Sequence, residues 1–447
     1  MNNKDTKKKL DDISSSFCLA KWKQVTLHLQ NGHNHSCHHP DTHLVSIEEI
    51  QKDPSALHNS SFKKGIRQQM LDGIRPPECE YCWRVEDAAI KQKQEIFSDR
   101  VIKSGNQWAS PYFNECLDAG SIDNIDPSYV EVSFSNVCNF KCAYCAPHIS
   151  SKWMEEIKEF GPYNTTFKFN DLDHINENNK LPIPNSEDNP YVEAFWKWWP
   201  ELYPKLHTFR ITGGEPLLTK NTFKVLDWII ENPQPNLNLA INSNLCVPQK
   251  NFDQFIEKAK IIQDKKHINR FELFTSAEAH DKKAEYIRTG LNYNEWFDNC
   301  DRFLSEVPNS KIVVMATYNL LSITSFKRFL IDIMDLKRKH GTHKMNIDIP
   351  YLNHPRFLSI EIATPDFLHY IEEQVEFMKN YSELFHSYEI DRIERIKNMF
   401  EAKSNESTHF QKDFVIFVDE YDRRRGTKFL EIFPEMESFY KTIKEDF

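Results

Sequence analysis

Residues 133–147, SFSNVCNFKCAYCAP, place Cys138, Cys142 and Cys145 in a C-x3-C-x2-C array directly after an apolar, strand-like run at 129–134. Three thiolates at this spacing can hold three irons of a [4Fe–4S] cluster, which leaves the fourth iron without a protein ligand and open to a small molecule. Zinc is the competing reading. A tetrahedral site needs a fourth ligand and usually pairs its cysteines as C-x2-C knuckles, and no second knuckle follows nearby. A second motif bears on the choice: residues 211–218, ITGGEPLL, follow another strand-like segment further on. Its two glycines let backbone approach a ligand closely, and the carboxylate of Glu215 can accept from an ammonium group.

In this order the two motifs resemble the radical S-adenosylmethionine (radical SAM) superfamily. The resemblance implies that Cys138, Cys142 and Cys145 ligate the catalytic cluster and that SAM binds the unique iron through its amino and carboxylate groups. Tyr144 matches the family's aromatic position beside the adenine, and Gly213, Gly214 and Glu215 match the motif near the SAM amino group. Asn242, Ser243 and Asn244, past a third strand, are candidates for the ribose or the methionine carboxylate, although turn chemistry explains such residues about as well. Residues 275–290, TSAEAHDKKAEYIRTG, resemble a stretch of SPASM-type relatives in which a serine and an arginine contact SAM, here Ser276 and Arg288. The planar fork of an arginine suits a carboxylate. Glu278 stands where an aspartate is commoner, and Asn319 is a weaker candidate. The chemistry implied is one-electron reduction of the cluster, reductive cleavage of SAM to methionine and a 5′-deoxyadenosyl radical, and hydrogen abstraction from a C–H bond.

The chain has 447 residues, with 40% hydrophobic and 27% charged residues and only 11 glycines, an ordinary globular composition. Its polar start, MNNKDTKKKLDD, and the lack of a long apolar run predict a cytoplasmic protein that does not span a membrane. In that setting the 10 cysteines read as reduced thiols kept for metal rather than as disulfides. A net charge of −10 argues against general nucleic-acid binding.

The N-terminal block carries four more cysteines. Val25, Leu27 and Leu29 alternate like a strand, the chain turns at Asn31 and Gly32, and the expectation is a hairpin with Cys18 on one arm and Cys37 on the other. Helical periodicity follows at 47–50 and 63–71, then Cys79 and Cys82 form a C-x2-C knuckle in GIRPPECEYCW. Four thiolates complete either a zinc site or an all-cysteine [4Fe–4S] cluster, and spacing does not choose between them. The series Cys18, Trp22, Gly32, Cys37, Arg75, Pro76, Cys79, Cys82 and Glu86 resembles the Twitch, or shortened SPASM-like, domain, which implies an auxiliary [4Fe–4S] cluster. In many relatives that domain follows the barrel, whereas here it comes first. His33, His35, His38 and His39 offer alternative ligands but read as exposed turn residues.

From 129 onward strands alternate with helices, at 208–212, 238–242, 270–275, 311–318 and 345–349, which predicts a parallel sheet with helices outside. The expected fold is α/β: a partial (β/α)6 barrel over 128–350, a small cysteine-rich α+β domain over 1–127 and a helical extension over 351–447. An insertion over 161–204 reads as a polar loop followed by an aromatic helix packed on the barrel, its Phe195, Trp196, Trp198 and Trp199 read as core residues. Cys116, Cys246 and Cys300 lack partner spacing and read as core thiols. The expected function is radical SAM chemistry on a peptide or protein, with a small molecule or nucleotide as the alternative. A non-catalytic cysteine–metal binding protein is the other class. A one-electron reductant such as flavodoxin or ferredoxin is the expected partner.

Overall fold

The strands predicted from 129 onward all form, because each alternates or runs apolar over the length one pleated face can bury. The structure is a computed structural model that describes residues 2–403 and 408–445. Met1 and the 404–407 and 446–447 segments of the expected C-terminal extension lie outside the described residues. In chain order the strands are β1 (Gln24–His28), β2 (His33–His35), β3 (His43–Leu44), β4 (Tyr129–Ser133), β5 (Lys141–Cys142), β6 (Thr208–Thr212), β7 (Gln234–Asn242), β8 (Ile268–Thr275), β9 (Arg288–Thr289), β10 (Ser310–Met315) and β11 (Met345–Asp348).

Nine of them form one mostly parallel sheet in the order β11-β10-β8-β7-β6-β4-β1-β2-β3, and β5 with β9 makes a small antiparallel pair. The hairpin does not stand apart from the sheet as the sequence reading expects. β1 runs parallel to β4 with Val25 opposite Val130 and Leu27 opposite Val132, while its other edge takes β2 antiparallel. The reason is visible in β1 itself, whose first four residues are all buried, as suits an interior strand covered on both faces.

Two compact units partition the chain: Met1–Ser135 with Pro182–Gly213 and Gln234–Ala240, and Asn136–Leu181 with Gly214–Pro233 and Ile241–Phe447. In the first unit Phe17, Trp22, Met70, Val101, Phe113 and Cys116 form a buried core, each large side chain contributing roughly 1.5–3 kcal/mol by burial. The aromatic helix Pro190–Leu202 belongs to this unit, and Phe195, Trp198 and Trp199 are core residues as expected. Its Tyr191 explains Gly32, which sits at φ +75° with the tyrosine ring 2.0 Å from where a Cβ would stand. No side chain fits there.

In the second unit helices flank β8, β10 and β11, among them Tyr293–Glu306 and Phe326–His340. The helices Leu368–Asn380, Ser387–Ala402, Thr408–Arg425 and Glu437–Glu445 complete it. Lys337 and Glu389, both fully buried, pair at 2.6 Å and join two of these helices. Cys246 and Cys300 are buried in this unit and Cys116 in the first, as core thiols.

Candidate functional site

The loop holding Cys138, Cys142 and Cys145 is fixed residue by residue. Ser150 caps the helix Ser151–Phe160 by accepting from the Trp153 amide, and its hydroxyl donates to the Phe140 carbonyl at 2.7 Å. Ser151 Oγ accepts from the Cys138 amide at 3.1 Å, and Trp153 Nε1 donates to the Cys142 carbonyl at 2.9 Å. On the other side β5 pairs with β9, which sets Cys142 opposite Arg288, and the Ala143 amide donates to the Ile287 carbonyl at 2.7 Å. Lys141 pairs with buried Glu156 at 2.7 Å, and Glu156 also takes Arg425 at 3.0 Å. A backbone so held presents its thiols without further ordering cost.

The three thiols form one electrostatic group. Burial pushes Cys138 up to about 12, with the charge of Cys142 as the next cause. Cys145 is likewise raised by burial and then by Cys142 and Cys138. Cys142 is raised by burial too, but Arg288 opposes the shift. Arg288 Nη1 lies 3.7 Å from Cys142 Sγ, its Nε and Nη2 donate to Glu278 Oε2 at 2.9 and 2.6 Å, and its Nη2 also bonds Tyr144 Oη. Tyr144 Oη in turn donates to Glu278 Oε1 at 3.2 Å. Burial alone would lower Arg288, yet the Glu278 carboxylate holds it firmly protonated. Cys142, Tyr144, Glu278 and Arg288 thus interlock, with Glu278 as the residue that orients the arginine.

Glu215 anchors a second cluster of predicted residues. Its Oε1 accepts from the Leu217 amide at 2.9 Å and from Ser243 Oγ at 2.8 Å, and its Oε2 accepts from the Asn244 amide at 2.6 Å. Burial nevertheless lifts its pKa to about 7. Glu215 therefore ties the segment after β6 to the segment after β7. Asn139, which the motif reading passed over, joins the same network: Asn244 Nδ2 donates to its side-chain oxygen at 2.8 Å, and its own Nδ2 donates to the Cys246 carbonyl at 2.6 Å. Gly213, at φ +91°, has Ser133 Oγ 2.0 Å from a would-be Cβ, and Gly214 has the Val137 carbonyl oxygen at 2.2 Å, so both must be glycine.

Asn242 ends β7, and Ser276 stands half-buried just past β8. Among the described residues Ser276 enters neither network. Asn319 folds its side chain onto its own turn, accepting from the Leu321 amide at 2.9 Å and donating to the Thr317 carbonyl at 2.8 Å. Tyr144, Ala146, His148, Phe167, Lys168 and Lys180 help line a cavity of about 280 Å³ with no carboxylate in its wall among the described residues.

In the first unit Cys18, Cys37, Cys79 and Cys82 line one small cavity of about 20 Å³ together with Lys21, His39 and Arg100. Burial first, and then the charge of neighbouring cysteines, raises Cys18 and pushes Cys79 and Cys82 up to about 12. Four thiols lining one cavity match in number the donor set of a thiolate-bound metal centre. Among the described residues no three His, Cys, Asp or Glu side chains are grouped around a single-ion position. The expected hairpin geometry needs correcting. Cys18 precedes the short helix Ala20–Lys23 rather than lying on an arm, and Cys37 follows β2. The histidine reading is also corrected: His33 and His35 are buried in β2, where His35 stacks on His28 at 5.2 Å, because an interior strand leaves no exposed turn there. His39 stacks on Tyr81 and bonds Asp99 at 2.8 Å. Arg100, unremarked in the sequence, donates to Glu86 and Asp11 at 2.8 Å each.

No family model matches the chain. A stretch of 116 residues is 28% identical to GTP 3′,8-cyclase of Nautilia profundicola (strain ATCC BAA-1463 / DSM 18972 / AmH), covering 26% of this chain and 27% of that protein. The chain therefore matches about a quarter of that relative's length. Among solved structures, Streptococcus suis SuiB bound to S-adenosylmethionine is similar at 14% identity and a TM-score of 0.35, over 82% of this chain and 70% of that one. SuiB bound to precursor peptide SuiA gives 12% and 0.34, over 82% and 70%. TYW1 with a lysine-pyruvate adduct gives 12% and 0.27, over 54% and 70%. Superpositions this loose assign no role to any residue. Among the described residues no helix is long and apolar enough to cross a membrane.

Proposed function

We propose that this chain is a radical SAM enzyme in which Cys138, Cys142 and Cys145 hold a [4Fe–4S] cluster. The observation that carries the reading is the set of three half-buried thiols on one loop held by hydrogen bonds, with the Arg288 guanidinium 3.7 Å from one sulfur. The donor set fits such a cluster, and Tyr144, Gly213, Gly214, Glu215, Asn242, Ser243, Ser276 and Arg288 are the residues proposed around SAM. When bound, the cluster and SAM supply one-electron cleavage of SAM and a 5′-deoxyadenosyl radical able to take hydrogen from an unreactive C–H bond. The chain's own part is positional. Arg288 favours the thiolate form of Cys142, and Glu278 fixes the rotamer of Arg288. Glu215 holds the segments after β6 and β7 in register, so that backbone groups of 213–215 stay available to an amino group. The sheet is read as the partial barrel of this family.

The N-terminal unit is the Twitch-like part of this proposal, with an auxiliary [4Fe–4S] cluster on Cys18, Cys37, Cys79 and Cys82 and zinc as the alternative. The substrate is a C–H bond in a peptide or protein, a reading that rests on the Twitch resemblance, with flavodoxin or ferredoxin as electron donor. A nucleotide or other small molecule is the second reading, favoured by the local match to GTP 3′,8-cyclase. Either substrate suits the cavity beside Tyr144, whose lysines and histidines can meet an anionic group. Iron and sulfide analysis after anaerobic reconstitution tests the assignment. About eight irons per chain are expected if both sites hold [4Fe–4S]. About four irons with one zinc reassigns the N-terminal site, and zinc alone overturns the whole reading.

A further inference from the structure

The first unit buries two cations that, among the described residues, form no salt bridge with a carboxylate. Lys63 is 1% exposed and Arg67 is fully buried. Lys63 Nζ donates to the Gln24 carbonyl at 3.0 Å and faces His58 Nδ1 at 2.8 Å. Arg67 donates through Nε to the Lys21 carbonyl at 3.2 Å and through Nη1 to Asn59 Oδ1 at 3.0 Å, with Nη2 2.9 Å from His58 Nε2. His58 adds no compensating charge: in the neutral tautomer its Nε2–H donates to the Trp22 carbonyl at 2.7 Å and its Nδ1 accepts from Lys63, which leaves Arg67 Nη2 beside Nε2 without a hydrogen bond to it. The other buried cations of the unit have acids. Lys21 pairs with Glu78, Lys23 with Glu115, and Arg100 with Glu86 and Asp11. Among the described residues Lys63 and Arg67 form no salt bridge, and an unbalanced buried ion costs several kcal/mol.

Their position supplies the missing charge. Lys63 and Arg67 lie on one face of the helix Ser61–Leu71, whose Met70 lines the four-cysteine cavity, and Arg67 bonds the backbone of Lys21, which lines it too. Burial first, and then the charges of Arg67 and Lys21, push the Lys63 ammonium well below the usual lysine range, while the negative charges of Glu78 and Cys37 reach it and oppose that shift. We propose that Lys63 and Arg67 are positioning residues that provide the counter-charge for an anionic metal–thiolate centre on Cys18, Cys37, Cys79 and Cys82. The inference rests on the auxiliary-cluster reading above. Four thiolates around a dicationic [4Fe–4S] core leave a net double negative charge, and one-electron reduction adds a third. Buried positive charge therefore strengthens metal loading and favours the reduced state. A clamp that merely tied the helix to the 21–24 backbone would act on the fold alone.

The test uses the full chain on a Cys142→Ala background, so that only the N-terminal centre reports. Lys63→Gln, Lys63→Arg, Arg67→Gln and Arg67→Lys are reconstituted anaerobically. Metal and sulfide content, the thermal midpoint before and after loading, and the reduction potential by EPR-monitored titration are measured. The neutral variants should gain less thermal stability on loading than the parent and show a more negative potential, while Lys63→Arg and Arg67→Lys keep both near the parent values. A loading gain and potential unchanged in both neutral variants overturn the inference. If one neutral variant fails to fold, the other decides. Zinc without sulfide in the parent overturns the auxiliary-cluster reading instead, and the loading gain measured with zinc then judges the counter-charge.

Discussion

Seven cysteines line two sites built in opposite ways. Cys138, Cys142 and Cys145 come from one short loop whose shape is set locally, by the Ser150 cap, the Trp153 hydrogen bond and the pairing of β5 with β9. Cys18, Cys37 and the Cys79–Cys82 pair come from three separate segments, which meet where the segments around the hairpin, the helix Ser61–Leu71 and the helix Glu80–Gln92 pack together. The electrostatics differ as well. The loop site has one protonated guanidinium held by one carboxylate, whereas the N-terminal site stands beside buried cations of which two lack acids. A local site can lose its metal and keep its frame. A site assembled from distant segments makes the metal part of the fold.

The largest expected contrast is in chemistry. Cys142→Ala should lower reductive SAM cleavage by more than about 100-fold, beyond the cost of losing an outer-shell partner, while Cys79→Ala retains a measurable share. Formation of 5′-deoxyadenosine with dithionite reads this. Equal losses would mean that the two sites do not divide the work as their construction implies.

Metal removal should reverse the contrast. A metal held by the four N-terminal thiolates, as proposed, would close long loops of the unfolded chain, a constraint worth about 3 kcal/mol or more for such loop lengths. Chelation should therefore raise amide exchange across 18–37 and 61–92, while in the second unit the rise stays confined to 138–146. Hydrogen-exchange mass spectrometry on the loaded and stripped protein decides, and a uniform rise in both units would erase the distinction.

How legible each region is in the sequence follows the same division. The cluster loop and the strands at 129, 208, 238, 270, 311 and 345 are local patterns, an alternation or a spacing, and each appears near its expected place. The position of β1 is not local. Its sequence alternates polar and apolar residues, which points to one buried face, so neither the burial of residues 24–27 on both faces nor the parallel neighbour β4 can be read from it. Around the sites, the resemblance to SPASM-type relatives points to Arg288 but not to the Glu278 carboxylate as its holder, because that pairing depends on β9 docking against the loop of Cys138, Cys142 and Cys145. Asn139, Glu156 and Arg425 escape for the same reason, since their partners lie far along the chain. Lys63 and Arg67 look like solvated charges on an amphipathic helix, and only the packed unit makes them exceptional.

The smallest expected effect concerns the support behind the loop site. Glu420 accepts from Arg423 and Arg424 at 2.6 Å each, and these bonds, Arg423 first, outweigh partial burial to lower its pKa to about 2. It lies on the helix Thr408–Arg425, whose Tyr421 hydroxyl donates to the Tyr286 carbonyl at 2.8 Å and contacts Thr289 at 2.7 Å, next to the strand that pairs with Cys142. A carboxylate whose folded pKa is depressed contributes stability that is complete above its unfolded value near 4.5 and is lost as pH falls through the folded value near 2. With its side chain about a quarter exposed, solvent screening reduces the contribution to about 1 kcal/mol. Glu420→Gln should therefore be less stable than the parent by about that amount at pH 7, with the gap narrowing steadily below pH 4.5. Denaturant unfolding across this range measures it. Because the arginines act through the helix that supports β9, exchange in 138–146 should rise slightly in the variant while the N-terminal segments stay unchanged. A stability gap that widens in acid, or a rise seen in 18–37 instead, would show that the loop site is not braced in the way its contacts imply.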